Sequence, residues 1–282
     1  MFRQLITGLV LSQLMLIASP FHSPAPKVVY GSYIMTPEVA APTREAHQRS
    51  RTFLTLDRPF ATQGKVDSNT LARCENNVAQ VFDILPATHV EAIKNLTLSF
   101  DPTIRRGLAG GNTLILRCVN VPNDAEMIAV LVHEIGHVVD TGLLNASKYD
   151  LKTKFVDRGK VVYSSDPSTK LYGVSWENNR SLKGVKRDFV SVYALESPYE
   201  EFAETYIMYV LHGPLFRLYA AHNKVLKMKY EFMRDVVFEG VEYNFASEKL
   251  PPILQVMDRH YDATRLDYGL ESFLALRGST DS

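Results

Sequence analysis

The chain has no excess of charge, almost no cysteine and no repetitive tract. It holds 31 basic and 31 acidic residues, a formal net charge of zero. That balance lacks the electrostatic footprint of a nucleic-acid binder or of a protein held on an anionic membrane. No long charge run, internal repeat or low-complexity stretch occurs, which excludes a solenoid or a largely disordered chain. The two cysteines, Cys74 and Cys118, have no second Cys or His at ligand spacing. A thiolate metal site is therefore excluded, and they read as one disulfide if the protein is exported or as two buried thiols if it is not. The longest mostly apolar stretch, Leu5 to Ala18, is shorter than the roughly 20 residues a membrane helix needs.

What is present is ordinary globular material. The 282 residues are 46% hydrophobic and 22% charged, enough to bury a normal core. Arg3 ahead of the apolar stretch gives residues 1–20 the form of a secretory signal, or of a retained membrane anchor through residues 5–18. Either reading sends the rest of the chain out of the cytoplasm, to the cell envelope or beyond. Residues 21–68 are proline-rich and read as a linker or pro-segment, and residues 69–282 as the folded domain with a helical C-terminal part.

Helical spacing after Asp67, with Pro86 as the stop, predicts a first helix; "THVEAIKNL" suggests a short second one. Alternation from Leu96 to Phe100 predicts a strand, and the glycines before Thr113–Arg117 predict a turn or hairpin into another. A helix from about Ala125 to Thr141 is capped by Asn123 or Asp124 and ended by Gly142. Residues 143–190 are polar and carry no clear pattern. Helices are then expected at Tyr199–Leu211, along "LFRLYAAHNKVLKMKYEFMRDVVF", and at about Pro252–Tyr261. Strands followed by helices argue an α+β class.

Within the third helix, "VLVHEIGHVVD" sets His133, Glu134 and His137 in an apolar run. His133 and His137 are one turn apart on one face, so both imidazoles reach one ion. Glu134 is rotated by about 100° and borders that ion without binding it. This is the spacing in which zinc takes two histidines and the glutamate serves as base. With eight histidines the pattern arises by chance in about one such chain per hundred, so context must support it. Gly136, a poor helix former, hints that something packs close there.

Zinc needs a third protein ligand. An extended motif would place a glycine at position 140 and a third histidine at position 143; Asp140 and Leu143 stand there, so that extension is missing. Asp140 reads as a support for the ligands or a loop contact. In "SPYEEFAETYIMYV", Glu200 and Glu204 are four apart and share a face, while Glu201 points elsewhere. Glu200 is the expected third ligand, and Glu204 the group that orients a ligand histidine from behind. The competing reading is a solvated acidic face at a helix start.

His133-Glu134-x-x-His137 with "HEIGHVVD", followed by Tyr193 seven residues before Glu200 in "EEFAE", resembles the gluzincin metallopeptidases, above all the catalytic domain of the anthrax lethal factor family. The likeness covers about Ala125 to Val210. It implies a zincin-like domain, a small mixed sheet followed mostly by helices, with Tyr193 stabilising the oxyanion at the scissile carbonyl. The expected function is then an exported zinc metalloendopeptidase acting on peptide or protein substrates, with Glu134 as general base. The strand Thr113–Arg117 is expected to line the cleft and pair with an extended substrate. The alternative is a zinc-bearing, non-catalytic binding protein of the cell envelope. His212 and Trp176 read as a helix-end cap and a packing residue, and His222 has no evident role.

Overall fold

The computed structural model describes residues 56–145, 150–245 and 262–277. The expected signal or anchor, most of the proline-rich segment, and the expected helix at Pro252–Tyr261 lie outside the described residues. What is described is a mixed α+β domain.

Its sheet has four strands, β1 (Ala61–Gln63), β2 (Asn95–Ser99), β3 (Gly107–Gly110) and β4 (Thr113–Arg117), in the order β1-β2-β4-β3. β1 and β4 run parallel to β2, and β3 runs antiparallel to β4. Leu96, Leu98, Leu114 and Leu116 alternate inward to the core, as the period of two requires. β1 falls inside the stretch expected to be a linker, so the sheet draws in chain N-terminal to residue 69. Its three residues are exposed and carry no hydrophobic alternation, which is why the sequence hid it.

Helices α1 (Ser68–Phe82) and α2 (Ala87–Glu91) connect β1 to β2. Asp67 starts α1 by accepting hydrogen bonds from the backbone N–H of Asn69 and Thr70, both 3.0 Å. After β4, α3 (Asp124–Val138) is capped by Asn123, which accepts from Glu126 N at 2.8 Å. The winding does not stop at Gly142. It loosens into a π-helical turn, Val139–Leu143, in which Gly142 packs directly on the Gly111 carbonyl. A side chain at Gly142 would overlap that carbonyl, so this glycine permits a close approach rather than ending the helix.

The unpatterned region folds as a hairpin, β5 (Lys152–Asp157) and β6 (Lys160–Tyr163), then α4 (Ser168–Ser175) and a small hairpin, β7 (Trp176–Asn178) and β8 (Ser181–Leu182). α5 (Pro198–Leu211) begins at Ser197, whose hydroxyl accepts from Glu200 N at 3.1 Å, with Pro198 at the first turn. The single long helix expected after it is broken. α6 (Gly213–His222) ends at Asn223, which is extended (φ −138°) and caps α7 (Lys224–Phe232) by accepting from Val225 N and Leu226 N. The break follows from that cap: asparagine here satisfies the next helix's free N–H groups better than it continues the last one. α8 (Leu270–Leu274) closes the described chain.

α3 and α5 are the centre. Both are buried along most of their length. A Cβ built on Gly136 would lie 3.0 Å from Ala203 Cα and 3.1 Å from Tyr206 Cβ. The glycine thus lets the two helices touch nearly backbone to backbone. Behind them, Glu201 is fully buried against Lys229, which also meets the Asp188 carbonyl, and Trp176 Nε1 donates to Glu201 at 2.8 Å. Trp176 packs edge-on against Phe189. It is a core residue that ties α5 to β7.

Cys74 and Cys118 are joined by a disulfide, linking α1 to the end of β4 across a sequence separation of 44. Among the described residues no helix is long and apolar enough to cross a membrane.

Two stability measurements test this architecture. Gly136→Val forces β-branched volume between α3 and α5 and should lower unfolding free energy in urea by about 1–3 kcal/mol. Reducing the disulfide removes a constraint on the unfolded chain that the loop-entropy relation puts at about 4 kcal/mol for this separation, so the urea midpoint should fall on adding reductant.

Candidate metal and catalytic site

The α3–α5 contact brings the histidines of one helix to the glutamates of the other. His133 Nε2 and His137 Nε2 each lie 3.3 Å from Glu200 Oε2. All three ligand-type atoms fall within 4.8 Å of one another. For bonds of about 2.0–2.1 Å to a tetrahedral ion, neighbouring ligand atoms are about 3.3–3.4 Å apart. The two His–Glu distances therefore match edges of a zinc tetrahedron. Glu200 Oε2 is buried and has no hydrogen-bond donor of sound geometry, a costly state for a carboxylate oxygen unless a cation meets it.

The electrostatics point the same way. Burial works against a charged His133, but the close carboxylates of Glu200 and Glu204 outweigh burial and raise its pKa well above the ordinary value. Burial works to raise the Glu200 carboxyl, yet its contacts with His133 and His137 win and hold it far below the usual range. Positive charge is favoured where these groups meet.

Glu204 lies behind. Its Oε1 is 2.9 Å from His133 Nδ1, while its Oε2 accepts from Ser191 Oγ at 2.5 Å and from Ala263 N at 2.6 Å. A fully buried carboxylate is thus held by a hydroxyl and a backbone amide, and it faces the nitrogen of His133 that points away from Glu200. Ser191 and the Ala263 segment were not foreseen. Neither carries a motif, and the Ala263 segment is 59 residues from Glu204 in the chain.

Glu134 is buried at the edge of the cleft, and burial raises its carboxyl above the ordinary value. Gly107 of β3 lies directly against it, where any side chain would overlap the carboxylate. Tyr193 stands in a short turn before α5 with its ring 6.0 Å from that of His133. It is 39% exposed, open to the cleft. Burial and the nearby Glu200 push its phenol upward, so it is a neutral hydrogen-bond donor at ordinary pH.

No protein-family model matches the chain, and no curated protein matches it.

Asp140 is placed differently from expectation. Its Oδ1 accepts from Tyr172 OH at 2.5 Å, so it braces α3 against α4 rather than supporting a ligand histidine. Asp140 lies in the π-helical turn, where the winding departs from that of α3. His212 is buried beside Tyr268 and the Ala263 segment, and His222 bonds to the Leu218 carbonyl in its own helix. Neither approaches the His133–His137 pair.

The site opens into a cleft of about 810 Å³ lined by β3, α3, the Tyr193 turn and residues Asp262–Arg265. The strand expected to receive a substrate, Thr113–Arg117, is flanked on both sides by β2 and β3. Of the sheet's two edges, β1 and β3, the one that lines the cleft is β3. Arg117 N donates to Arg106 O at 3.0 Å, so in the antiparallel alternation Gly107 and Ala109 turn their backbone groups outward.

Glu204→Gln tests the support role. It keeps the shape but weakens the hold on His133, and should lower zinc affinity about 10–100-fold in chelator competition.

Proposed function

We propose that the protein is an exported zinc metalloendopeptidase with a zincin-like catalytic domain. The observation that carries this is the convergence of His133, His137 and Glu200 at tetrahedral-edge spacing beside a buried glutamate and an open strand edge. Their donor set, two imidazoles and a carboxylate, suits zinc with one position left open. Bound zinc would supply Lewis acidity, acidifying a water and polarising a carbonyl.

The remaining roles fall to side chains. Glu134 accepts the proton of the attacking water and delivers one to the leaving amine. Tyr193 donates its phenolic hydrogen to the oxygen of the scissile carbonyl as charge develops there. The outward groups of Gly107 and the N–H of Ala109, whose carbonyl Arg158 already holds, pair with an extended peptide backbone, which replaces Thr113–Arg117 in that role. Glu204 keeps His133 oriented, and Ser191 with Ala263 keeps Glu204 in place.

The Cys74–Cys118 disulfide supports an oxidising compartment, in keeping with the signal-like N-terminus. The substrate is a peptide or protein, the class that an exposed strand edge beside the donor set can hold.

Metal analysis and kinetics together test the reading. Purified protein should carry one zinc per chain, and His137→Ala or Glu200→Ala should lose it. Glu134→Gln should retain the metal while peptide hydrolysis falls about 10²–10⁴-fold. A metal-free wild type removes the zinc site. A zinc-loaded Glu134→Gln with full activity removes the general base, and a zinc-loaded wild type that hydrolyses no peptide leaves the non-catalytic binding protein.

A further inference from the structure

The cleft has a charge character that the balanced composition conceals. Five arginines and no lysine line it: Arg105, Arg106, Arg117, Arg158 and Arg265. Of the carboxylates there, Glu134 and Glu200 belong to the site itself, and Asp262 is paired with Arg106 at 2.5 Å. Only Asp157 remains to set against the other four arginines. Among the described residues, none of those four has an ion-pair partner. Arg117 Nη1 donates to the carbonyls of Ile104 and Pro102, which does not cancel its charge.

Arg158 is the most telling. It sits in the two-residue turn between β5 and β6, where Asp157 pairs with Lys160. Its φ is +46°, followed by Gly159 at +81°. Such turns normally take asparagine or glycine first, because a side chain at positive φ is strained. Strain of this kind is tolerated where a residue's position matters. The guanidinium reaches across to the open edge of β3, with Nη2 3.3 Å from the Ala109 carbonyl. It fills the space that a side chain on Gly110 would occupy. Arg158 thus stands at one end of the short edge strand. Arg105 precedes the other end, and Arg265 adjoins Thr264, which is bonded to Arg106. All three are exposed.

We propose that the cleft selects peptides with acidic side chains on both sides of the segment held at the metal site, Arg158 binding a carboxylate at one end and Arg105 and Arg265 at the other. Arginine suits this because its planar fork of N–H donors matches a carboxylate in two bonds, while lysine offers a point charge. The hydrolytic part of the proposal rests on the peptidase reading above; the recognition part does not.

Three fluorogenic peptide sets of one length test it, flanked by Asp/Glu, by Ser/Ala or by Lys/Arg. Hydrolysis is measured with zinc-loaded wild type, Arg158→Gln and the double variant Arg105→Gln/Arg265→Gln, each checked for a wild-type urea midpoint. In parallel, Glu134→Gln protein is titrated with the same peptides by fluorescence anisotropy. Acidic peptides should be favoured over neutral ones by about tenfold or more, through KM and through anisotropy. The preference should shrink with added salt. Each arginine variant should lose most of it, its KM rising far more for the acidic set than for the neutral one. Equal treatment of acidic and neutral peptides overturns the proposal, as does an arginine variant that weakens both sets alike. Hydrolysis without charge preference sinks the acidic class and leaves the peptidase. Acidic-peptide binding with no hydrolysis of any set by wild type does the reverse.

Discussion

Everything at the site depends on how closely α3 and α5 approach. His133 and His137 project from one helix and Glu200 and Glu204 from the other, and their side chains have fixed lengths. The interhelical distance therefore decides whether two imidazoles and a carboxylate meet at 3.3 Å or miss. Gly136 and Ala203 set that distance, since the glycine has no Cβ to hold Ala203 and Tyr206 away. The helix propensity lost at Gly136, about 1 kcal/mol against alanine, is the cost of that proximity. The apolar residues around the motif bury the contact, and burial in turn makes each misplaced charge expensive, so the polar groups have little freedom to settle elsewhere.

The three glutamates at the start of α5 illustrate how helical geometry divides one acidic run among different tasks. Glu200 reaches the histidines, and Glu204, one turn on, lies behind His133. Glu201 is turned away by about 100° and meets Lys229 and Trp176 in the core. Glu201 is matched by Lys229 and Trp176 and Glu204 by Ser191 and the Ala263 amide, while Glu200 faces the two histidines. Lys229 in particular is fully buried beside Glu201, with its ammonium 4.3 Å from the centre of the Phe189 ring. That buried pair holds α5 against α7 from the side opposite the site. The site is therefore braced from two directions, by α3 in front and by α7 behind, with the Ala263 segment locking Glu204 from above the cleft.

Local signals in the chain were enough for the two halves of the site. The i, i+4 spacing of His133 and His137 and of Glu200 and Glu204 depends only on helix geometry, so both pairs were legible, as was the packing hint at Gly136. Helix starts at Asp67, Asn123 and Ser197 are likewise local events of side chain and backbone. What could not be read is what depends on distant chain. β1 has no pattern of its own and exists because β2 offers it an edge. The identity of the free strand edge turns on sheet order, which put β4 inside and β3 outside. Asp140 meets Tyr172 of α4, 32 residues on in the chain, and nothing in "HVVDTG" announces that partner or the π-helical turn.

The same distinction governs charge. Net charge is a sum over the whole surface, and zero at that level says nothing about the field inside one concave region. The arginines of the cleft come from the loop before β3, from β4, from the β5–β6 turn and from the segment after residue 261, so no window of sequence shows them as a cluster. Their effect is local because each ends near the same short strand, and because acids that would balance them are committed elsewhere: Asp262 to Arg106, Glu200 to the histidines. A cleft walled by low-dielectric protein focuses that residual field on whatever enters it. On the reading proposed above, a peptide laid along β3 meets positive charge at both ends of the strand and the His133–His137–Glu200 cluster beside it. These are separate devices, the first suited to choosing a chain and the second to acting on it. Only Arg106 links the two, holding Asp262 and Thr264 on either side of the Ala263 amide that bonds Glu204.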